Sequence, residues 1–315
     1  MYNPTKPYRK HILELIKETW ETPYVSVRED VYPIIEKKFS YPEVDHTDGI
    51  GTKGVYHWQQ RTFNNASLDA LAMNLNDLAL IRATPYKLQN HIFVPEDDNE
   101  SILEIVKTLS KECKKRDIAI TGGETSVHNN ISGPDISMCV SGFIKNYKPN
   151  RFEIGDVLVG IGSNGLHSNG FTKVREVFGD EYRSEFISPT LIYSDAIFSL
   201  EDFNIGGTMH ITGGAYTKLE ILLKGNDAII TRSHKLKPQK IFNELYSKGI
   251  SDEEMYRTFN CGIGFVLSVS SRDKDKIIYR LENDFGFEAD VIGGVVEGSR
   301  RVRIESMFSN KEVEF

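Results

Sequence analysis

The chain has 315 residues, of which 39% are hydrophobic, and it carries a formal net charge of −7 at pH 7. This charge disfavours a protein that reads nucleic acid through its phosphates, since such proteins usually carry a basic face, and no apolar run approaches the ~18 residues of a transmembrane helix. The length predicts two domains. Residues 1–6 lack the apolar core of a signal peptide, and the three widely spaced cysteines indicate neither a zinc site nor a disulfide framework. We therefore expect a cytoplasmic protein.

A short amphipathic helix is predicted around residues 11–18, and the next informative stretch is Asp-His-Thr-Asp-Gly-Ile-Gly-Thr-Lys at residues 45–53. Ionised groups are costly in a dry core unless they are paired. The glycines permit close approach of the backbone to a ligand, and Lys53 is a donor of the kind that phosphates recruit. The stretch is therefore either a loop that holds a nucleotide and its metal or a surface turn. Residues 54–58 are predicted to form a strand.

The clearest predicted helix runs from Asn65 to Ala83, where apolar residues recur at helical spacing before a Thr-Pro pair. Because such an apolar helix is mostly buried, Asn76 and Asp77 in its last turns need partners. They are either a hydrogen-bonded pair at the helix end or a metal and phosphate contact beside Asp48.

A buried strand at residues 118–120 leads into Thr-Gly-Gly-Glu-Thr at residues 121–125. Open α/β folds place ligand contacts where a strand ends in this way, although a tight turn with a solvated Glu124 is the alternative. A linker at residues 145–153, which contains asparagine and proline, marks the predicted boundary between domains 1–148 and 149–315.

The second half begins with a strand at residues 156–161, a glycine-rich loop at residues 162–170 and a helix that ends near Phe178. This order aims backbone N–H groups at an anion, but the loop lacks the ending of a Walker motif. His210 alone is more typical of a hydrogen-bonded structural histidine than of a base. The alternation of strands and helices predicts two α/β halves.

Taken in chain order, these motifs and Phe-Asn-Cys-Gly-Ile-Gly at residues 259–264 resemble the aminoimidazole ribonucleotide synthetases, or phosphoribosylformylglycinamidine cyclo-ligases, over roughly residues 44–297. The resemblance implies a mixed α/β (α+β) fold of two domains. The N-terminal domain would bind ATP and form a dimeric β-barrel, and the C-terminal domain would be α/β.

The same resemblance implies ATP and Mg²⁺ as cofactors, a small-molecule ribonucleotide as substrate and a homodimer. The implied reaction in purine biosynthesis converts formylglycinamidine ribonucleotide to aminoimidazole ribonucleotide, ADP and phosphate. ATP would phosphorylate the formamide oxygen, which needs positioning and charge neutralisation more than covalent help.

Carried onto this sequence, the resemblance implies a role for each matching residue. The catalytic set is Asp48, Lys53, Asp77 and His210. The role of His210, moving a proton in the cyclisation, is our own expectation, because imidazole titrates near neutral pH. The Mg²⁺ ligands are Asp48, Asp77 and Glu124. The nucleotide-binding set is Asp48, Gly49, Gly51, Thr52, Lys53, Asp69, Asn76, Gly122, Gly123, Glu124 and Thr125. The substrate-binding set is Ser163, Asn164, Gly165, His167, Ser168, Asn169, Gly170 and Asn260.

Three segments depart from the family pattern. Residues 1–44 lack a tyrosine-bearing Ala-Gly-Val-Asp segment, residues 126–129 read Ser-Val-His-Asn rather than Ala-Glu-Met-Pro, and residues 215–217 read Ala-Tyr-Thr rather than Gly-Phe-Trp. Two alternatives therefore stay open: a small-molecule phosphotransferase of the same superfamily, such as a thiamine monophosphate kinase, and a non-catalytic nucleotide-binding paralogue. A selenophosphate synthetase is disfavoured because no cysteine precedes Cys113.

Overall fold

The computed structural model describes residues 8–315, and the chain divides into two compact units between Tyr147 and Lys148. Both units combine sheets with helices, so the predicted mixed α/β fold with two parts is confirmed. The prediction about a signal peptide concerns residues 1–6, which lie outside the described residues. Among residues 8–315, none of the helices combines the length and the apolar character that crossing a bilayer requires.

The first unit is built on a four-stranded sheet with helices on one face. Its helices are α1 (Arg9–Lys17), α2 (Gly54–Gln60), α3 (Phe63–Leu80) and α4 (Asn99–Lys115). Its strands are β1 (Val25–Arg28), β2 (Ile34–Lys37), β3 (Glu43–Gly49), β4 (Thr84–Val94), β5 (Ala119–Val127) and β6 (Asp135–Phe143). The pair β1–β2 is a separate antiparallel hairpin, and the sheet has the order β3-β6-β4-β5. Strands β3 and β5 therefore form its two edges.

Helix α3 forms the core of the first unit, since its residues are buried on almost every side. The apolar spacing that predicted a helix here is confirmed, but the helix spans Phe63–Leu80 rather than residues 65–83. It ends early because Arg82 adopts a left-handed φ of 55° and the N–H of Ala83 turns back to the carbonyl of Leu78 at 3.1 Å.

The predicted strand at residues 54–58 is wrong, because these residues belong to helix α2. Valine and aromatic residues favour strands, and three of the five positions carry them. Tertiary contacts override this preference: Lys53 and His57 lie one helical turn apart and both reach the Asp69 carboxylate.

The second unit has a seven-stranded sheet in the order β13-β12-β9-β11-β7-β10-β8. Its strands are β7 (Val157–Gly162), β8 (Ile205–His210), β9 (Asn226–Ile230), β10 (Ile263–Val269), β11 (Ala289–Glu297), β12 (Val302–Glu305) and β13 (Glu312–Glu314). Its helices are α5 (Phe171–Phe178), α6 (Ser194–Ser199), α7 (Lys240–Ser247), α8 (Asp252–Thr258) and α9 (Lys274–Asn283). The central strand β7 is buried along most of its length, and the glycine-rich loop follows it directly.

Candidate functional site

The charged stretch at residues 45–53 divides where strand β3 turns into helix α2. Gly51 has a positive φ of 58°, and a Cβ on Gly54 would lie only 1.9 Å from the carbonyl oxygen of Pro134. Both positions therefore require glycine. The turn sends Lys53 into the interior while the charged side chains of β3 stay at the edge of the sheet, so the stretch contributes to two separate clusters.

Lys53, His57 and Asp69 form the first cluster, which we call the buried triad. Lys53 Nζ lies 3.0 Å from Asp69 Oδ1 and 2.8 Å from Oδ2, and His57 Nε2 lies 2.8 Å from the same Oδ2. His57 Nδ1 also lies 2.8 Å from Thr62 Oγ1. The three triad side chains are 0% exposed, so their charges are balanced inside the fold.

Burial controls the titration of the triad. It lowers the pKa of Lys53 and of His57 even though Asp69 opposes the shift in both cases. Burial alone would raise the pKa of Asp69, but Lys53 and His57 outweigh it and hold this pKa well below its usual range. Lys53 and Asp69 form an internal ion pair, and their predicted contact with the nucleotide stays a prediction.

His46, Asp48, Asn74 and Asp77 form the second cluster, which we call the His46 cluster. His46 Nδ1 lies 3.1 Å from Asn74 Oδ1, and His46 Nε2 lies 3.5 Å from Asp77 Oδ2. Asn74 donates through Nδ2 to the backbone carbonyls of Asp48 at 3.1 Å and Ala70 at 3.0 Å.

The His46 cluster keeps contact with solvent, since the side chains of His46 and Asp77 are 29% and 20% exposed. The contact with Asp77 raises the pKa of His46, an effect that burial opposes and Asn74 supports. The structure thus brings Asp48 and Asp77, two of the predicted Mg²⁺ ligands, to one edge of the sheet.

Glu124, the third predicted Mg²⁺ ligand, lies on the opposite edge strand. Met138 of β6 pairs with Asp48 on one side and with Asn90 of β4 on the other, and Asn90 pairs with Gly123 of β5. Asp48 and Gly123 therefore lie at the two ends of one row across the sheet. Glu124 follows Gly123, so it is about three strand spacings, roughly 14 Å, from Asp48 and points to the other face.

Among residues 8–315, no group of three or more His, Cys, Asp or Glu side chains is arranged to hold a metal. The predicted convergence of Asp48, Asp77 and Glu124 on one ion within one chain is therefore corrected: strand order separates Glu124 from the other two.

The other predicted nucleotide-binding residues lie in varied surroundings. Asn76 is fully buried in α3, and Thr52 is exposed at the turn before α2. Residues 122–125 lie in β5, where Gly123 and Glu124 are exposed.

Residues 122–125 border a cavity of about 800 Å³ that is also lined by α1 and residues 29–33. The segment after α1 covers the outer edge of β5 at one point, since Ile120 accepts a hydrogen bond from Trp20 Nε1 and donates one to Thr19 Oγ1, both at 2.8 Å. A concave, mainly apolar space with polar backbone at its rim has the character of a ligand site.

In the second unit, the predicted substrate loop is held together by Asn260. The Asn260 side chain accepts from Ser163 Oγ at 2.8 Å and from the N–H of Gly262 at 2.9 Å, and it donates to the carbonyl of Gly165 at 2.7 Å. Asn260 is buried, so its observed contacts anchor the loop.

The remaining loop residues are placed by close packing and by hydrogen bonds. A Cβ on Gly170 would lie 2.3 Å from the Phe259 ring, so glycine is required there. Ser168 Oγ lies 2.9 Å from Thr190 Oγ1, and Asn164 Nδ2 donates to the carbonyl of Pro189 at 3.0 Å. His167 is buried, and Asn169 lies beside Gly213. The loop therefore brings the predicted substrate residues together before the N-terminus of α5.

His210, predicted to move a proton, is fully buried at the end of β8. Its ring centroid lies 5.9 Å from that of Phe265 and 6.2 Å from that of Tyr193. This surrounding is typical of a structural histidine, so we revise its predicted catalytic role.

Three residues of the two clusters were missed by the sequence reasoning: His46, Asn74 and His57. His46 lies two residues before Asp48 in a strand, and Asn74 lies three residues before Asp77 in a helix, so strand and helix periodicity could have placed both beside the predicted ligands. His57 was missed because its segment was predicted to be a strand.

Comparisons with known proteins give the following matches. The family model for AIR synthase related protein, N-terminal domain, matches residues 40–144, and that for AIR synthase related protein, C-terminal domain, matches residues 153–305. The phosphoribosylformylglycinamidine cyclo-ligase of Methanocaldococcus jannaschii is 34% identical over 274 residues, which cover 80% of this chain and 77% of that protein.

Two solved structures show the same fold. Thiamine-monophosphate kinase from Stenotrophomonas maltophilia has a TM-score of 0.71 at 17% identity, covering 98% of this chain and 99% of that chain. The hydrogenase maturation protein HypE in complex with ATP has a TM-score of 0.69 at 16% identity, covering 98% and 94%.

Proposed function

Because this chain belongs to the AIR synthase related protein family, as its motifs predicted, we propose that it is an ATP-dependent cyclo-ligase. It would convert formylglycinamidine ribonucleotide to aminoimidazole ribonucleotide, ADP and phosphate. The observation that carries this proposal is the 34% identity to a phosphoribosylformylglycinamidine cyclo-ligase over 80% of the chain. The fold likeness to a HypE structure in complex with ATP supports a nucleotide as co-substrate.

The donor set of the His46 cluster fits a hard cation. Asp48 and Asp77 offer carboxylate oxygens at a partly exposed edge of the first unit, and Mg²⁺ prefers such ligands together with substrate phosphates. Asp48 and Asp77 would hold Mg²⁺, which when bound neutralises charge on the transferring phosphoryl group. His46 and Asn74 hold the two carboxylate-bearing elements together on the protein side.

The loop of residues 163–170 is proposed to bind the phosphate of the ribonucleotide substrate. It follows a buried strand and leads into α5, and the first-turn N–H groups of a helix favour an anion. Asn260 would act on the substrate through the loop shape that its hydrogen bonds maintain.

We also propose a homodimer formed through the first units. Strands β3 and β5 each have one edge without a strand partner within the described chain, and exposed strand edges are normally covered. Light scattering should give about twice the 35.8 kDa mass of one chain; a mass of one chain would refute the dimer. The cysteine thiols are free, in keeping with a proposed cytoplasmic location.

The proposed activity is tested with purified protein, ATP, Mg²⁺ and formylglycinamidine ribonucleotide. We expect ADP release that depends on this substrate, together with the aminoimidazole product. Thiamine monophosphate is the comparison substrate, since the likeness to that kinase extends only to the fold at 17% identity. ADP release with thiamine monophosphate alone, or with neither substrate, would overturn the proposal.

A further inference from the structure

We propose that Lys218 and Asn169 bind the phosphate group of the ribonucleotide substrate, together with the backbone N–H groups of Gly213 and Gly214. The inference rests on the proposed function, because that function places this phosphate at the loop of residues 163–170. The loop contains no lysine or arginine. Lys218 supplies that positive charge from a second segment, which begins with the turn of residues 212–214.

The turn of residues 212–214 lies against the loop. A Cβ added at Gly213 would lie 3.7 Å from Asn169 Oδ1, so the two segments are in contact range at this point. Asn169 directly precedes Gly170, the N-cap residue of helix α5. The turn therefore lies close to the helix N-terminus at which the proposed function places the phosphate.

The backbone of the turn offers donors to an anion. Within residues 8–315, the N–H groups of Gly213 and Gly214 make no hydrogen bond, and both residues are exposed. Gly214 adopts a left-handed φ of 79°, and successive N–H groups in a turn of this kind form a concave site for anions. The turn can thus donate to phosphate oxygens from its backbone.

Lys218 brings a positive charge to the same turn. It lies in the short 3₁₀ helix Ala215–Leu222 that follows the turn. Its side chain folds back over Gly214, because a Cβ added there would lie 3.4 Å from Lys218 Cγ, and its Nζ donates to Thr212 Oγ1 at 2.5 Å. Lys218 is half-buried, and solvent ions screen such a charge less than an exposed one.

Asn169 contributes a donor that the protein itself leaves unpaired. Its Nδ2 atom is buried and has no hydrogen-bond partner among the residues that the structure describes. A buried donor without an acceptor is unfavourable, and a bound phosphate oxygen would provide the acceptor. This observation is independent of Lys218, and it points to a ligand beside the same turn.

Ribose 5-phosphate is a suitable probe, because it carries the phosphate and the ribose of the substrate without the reacting amide. Its binding and that of ribose are followed by calorimetry for the original protein and three variants. Lys218→Gln removes the charge, whereas Lys218→Arg keeps it. Asn169→Asp keeps the shape of the side chain but replaces the donor by a carboxylate, which repels phosphate.

We expect Lys218→Gln and Asn169→Asp to bind ribose 5-phosphate at least about tenfold more weakly than the original protein, since each loses a hydrogen bond to a charged group. Lys218→Arg should stay within about fivefold, because arginine keeps the charge. All variants should bind ribose as the original protein does. The matched control is Lys224→Gln, which alters an exposed lysine six residues further on and should leave binding unchanged.

A non-hydrolysable ATP analogue separates the substrate phosphate from the phosphates of the nucleotide, and Lys218→Gln should bind this analogue as tightly as the original protein does. In turnover, Lys218→Gln should raise KM for the ribonucleotide and leave kcat nearly unchanged, because the lost contact is made equally in the ground state and the transition state.

Four results would overturn the inference. They are equal binding of ribose 5-phosphate by Lys218→Gln and the original protein, an equal loss in Lys218→Arg and Lys218→Gln, a loss of binding of the ATP analogue alone, and a fall in unfolding temperature without ligand that parallels the loss of binding. The last result would assign Lys218 to the fold.

The titrations with ribose 5-phosphate need no turnover, so their outcome is distinguishable from that of the proposed function. Absence of cyclo-ligase turnover would remove the proposed reaction but leave the order of the affinities for ribose 5-phosphate readable. Absence of ribose 5-phosphate binding by the original protein would overturn the inference itself.

Discussion

The buried triad and the His46 cluster connect the same two segments, the stretch after residue 44 and helix α3, yet their surroundings are opposite. In the triad, Lys53, His57 and Asp69 are 0% exposed and satisfy one another. In the His46 cluster, the side chains of His46 and Asp77 are 29% and 20% exposed to solvent.

This difference indicates that the fold balances the charge of one part of the motif and leaves the other part in contact with solvent. Asp69 is neutralised by Lys53 inside the protein, whereas in the His46 cluster only the Asp77 carboxylate contacts the imidazole, and Asp48 acts on it through its charge alone. Repulsion between nearby carboxylates favours a bound cation. The first cluster should therefore determine stability, and the second should determine activity.

Asp69→Asn gives the largest expected effect on stability. The substitution leaves the Lys53 ammonium buried without a counter-charge, and breaking a buried pair in this way costs about 3–5 kcal/mol of unfolding free energy. Urea unfolding followed by fluorescence measures the loss. The control Asp45→Asn alters an exposed carboxylate on β3 that accepts a hydrogen bond from Ser141. Because asparagine keeps an oxygen acceptor, the control should change stability by less than about 1 kcal/mol. Equal stability of Asp69→Asn and the original protein would contradict the ion pair.

Asp77→Asn makes the same substitution in the same helix, eight residues further on, and should have the opposite profile. Because the Asp77 side chain is partly exposed, we expect a stability change below about 1 kcal/mol. Turnover should fall on the order of 100-fold, since a group that stabilises developing charge on the phosphoryl is weakened. The ADP-release assay measures it. Full turnover in Asp77→Asn, or a stability loss like that of Asp69→Asn, would erase the distinction between the two clusters.

The sequence predicted elements better than it predicted their arrangement. Helix α3 follows from its apolar spacing, and only its ends differ. Helix α2 was predicted as a strand because local propensity favoured one, while a contact with Asp69, 16 residues after Lys53, decided otherwise.

The order of strands in the sheet was beyond sequence reasoning. The chain runs β3, β4, β5, β6, but β6 inserts beside β3 and places β5 at the far edge. Asp48 and Asp77 could be predicted to meet because both flank the interface of β3 with α3, whereas the position of Glu124 depends on pairings between segments distant in sequence. The burial of Lys53 could not be predicted either, because its partner, Asp69, lies in another element, helix α3.

Acidification should weaken the first unit through His57. Burial lowers the pKa of His57, whereas an unfolded histidine titrates near 6.5. As the pH falls below about 6.5, the unfolded chain gains a proton that the folded chain does not, so stability decreases. This contribution is fully present above about pH 6.5, and its slope is at most about 1.4 kcal/mol per pH unit.

Urea unfolding at pH 7.5 and 5.5 tests this dependence in His57→Gln, which keeps a donor for Asp69 but does not titrate. The variant should lose less stability on acidification than the original protein. The control His11→Gln alters an exposed histidine on α1 and should keep the original pH dependence. Identical pH dependence in all three proteins would show that His57 is not buried as a neutral group.

Thr62→Val gives the smallest expected effect. It tests whether weakening the buried triad also alters the His46 cluster. The substitution keeps the shape of the side chain but removes the hydroxyl that lies 2.8 Å from His57 Nδ1. Losing one such hydrogen bond should cost about 1 kcal/mol of unfolding free energy. Mg²⁺ binding should stay unchanged, because Thr62 has its observed contact with the triad and not with Asp48 or Asp77. If calorimetry with a non-hydrolysable ATP analogue showed weaker Mg²⁺ binding by Thr62→Val, the two clusters would act as one unit, and the separation between a stabilising and a ligand-binding part of the motif would be lost.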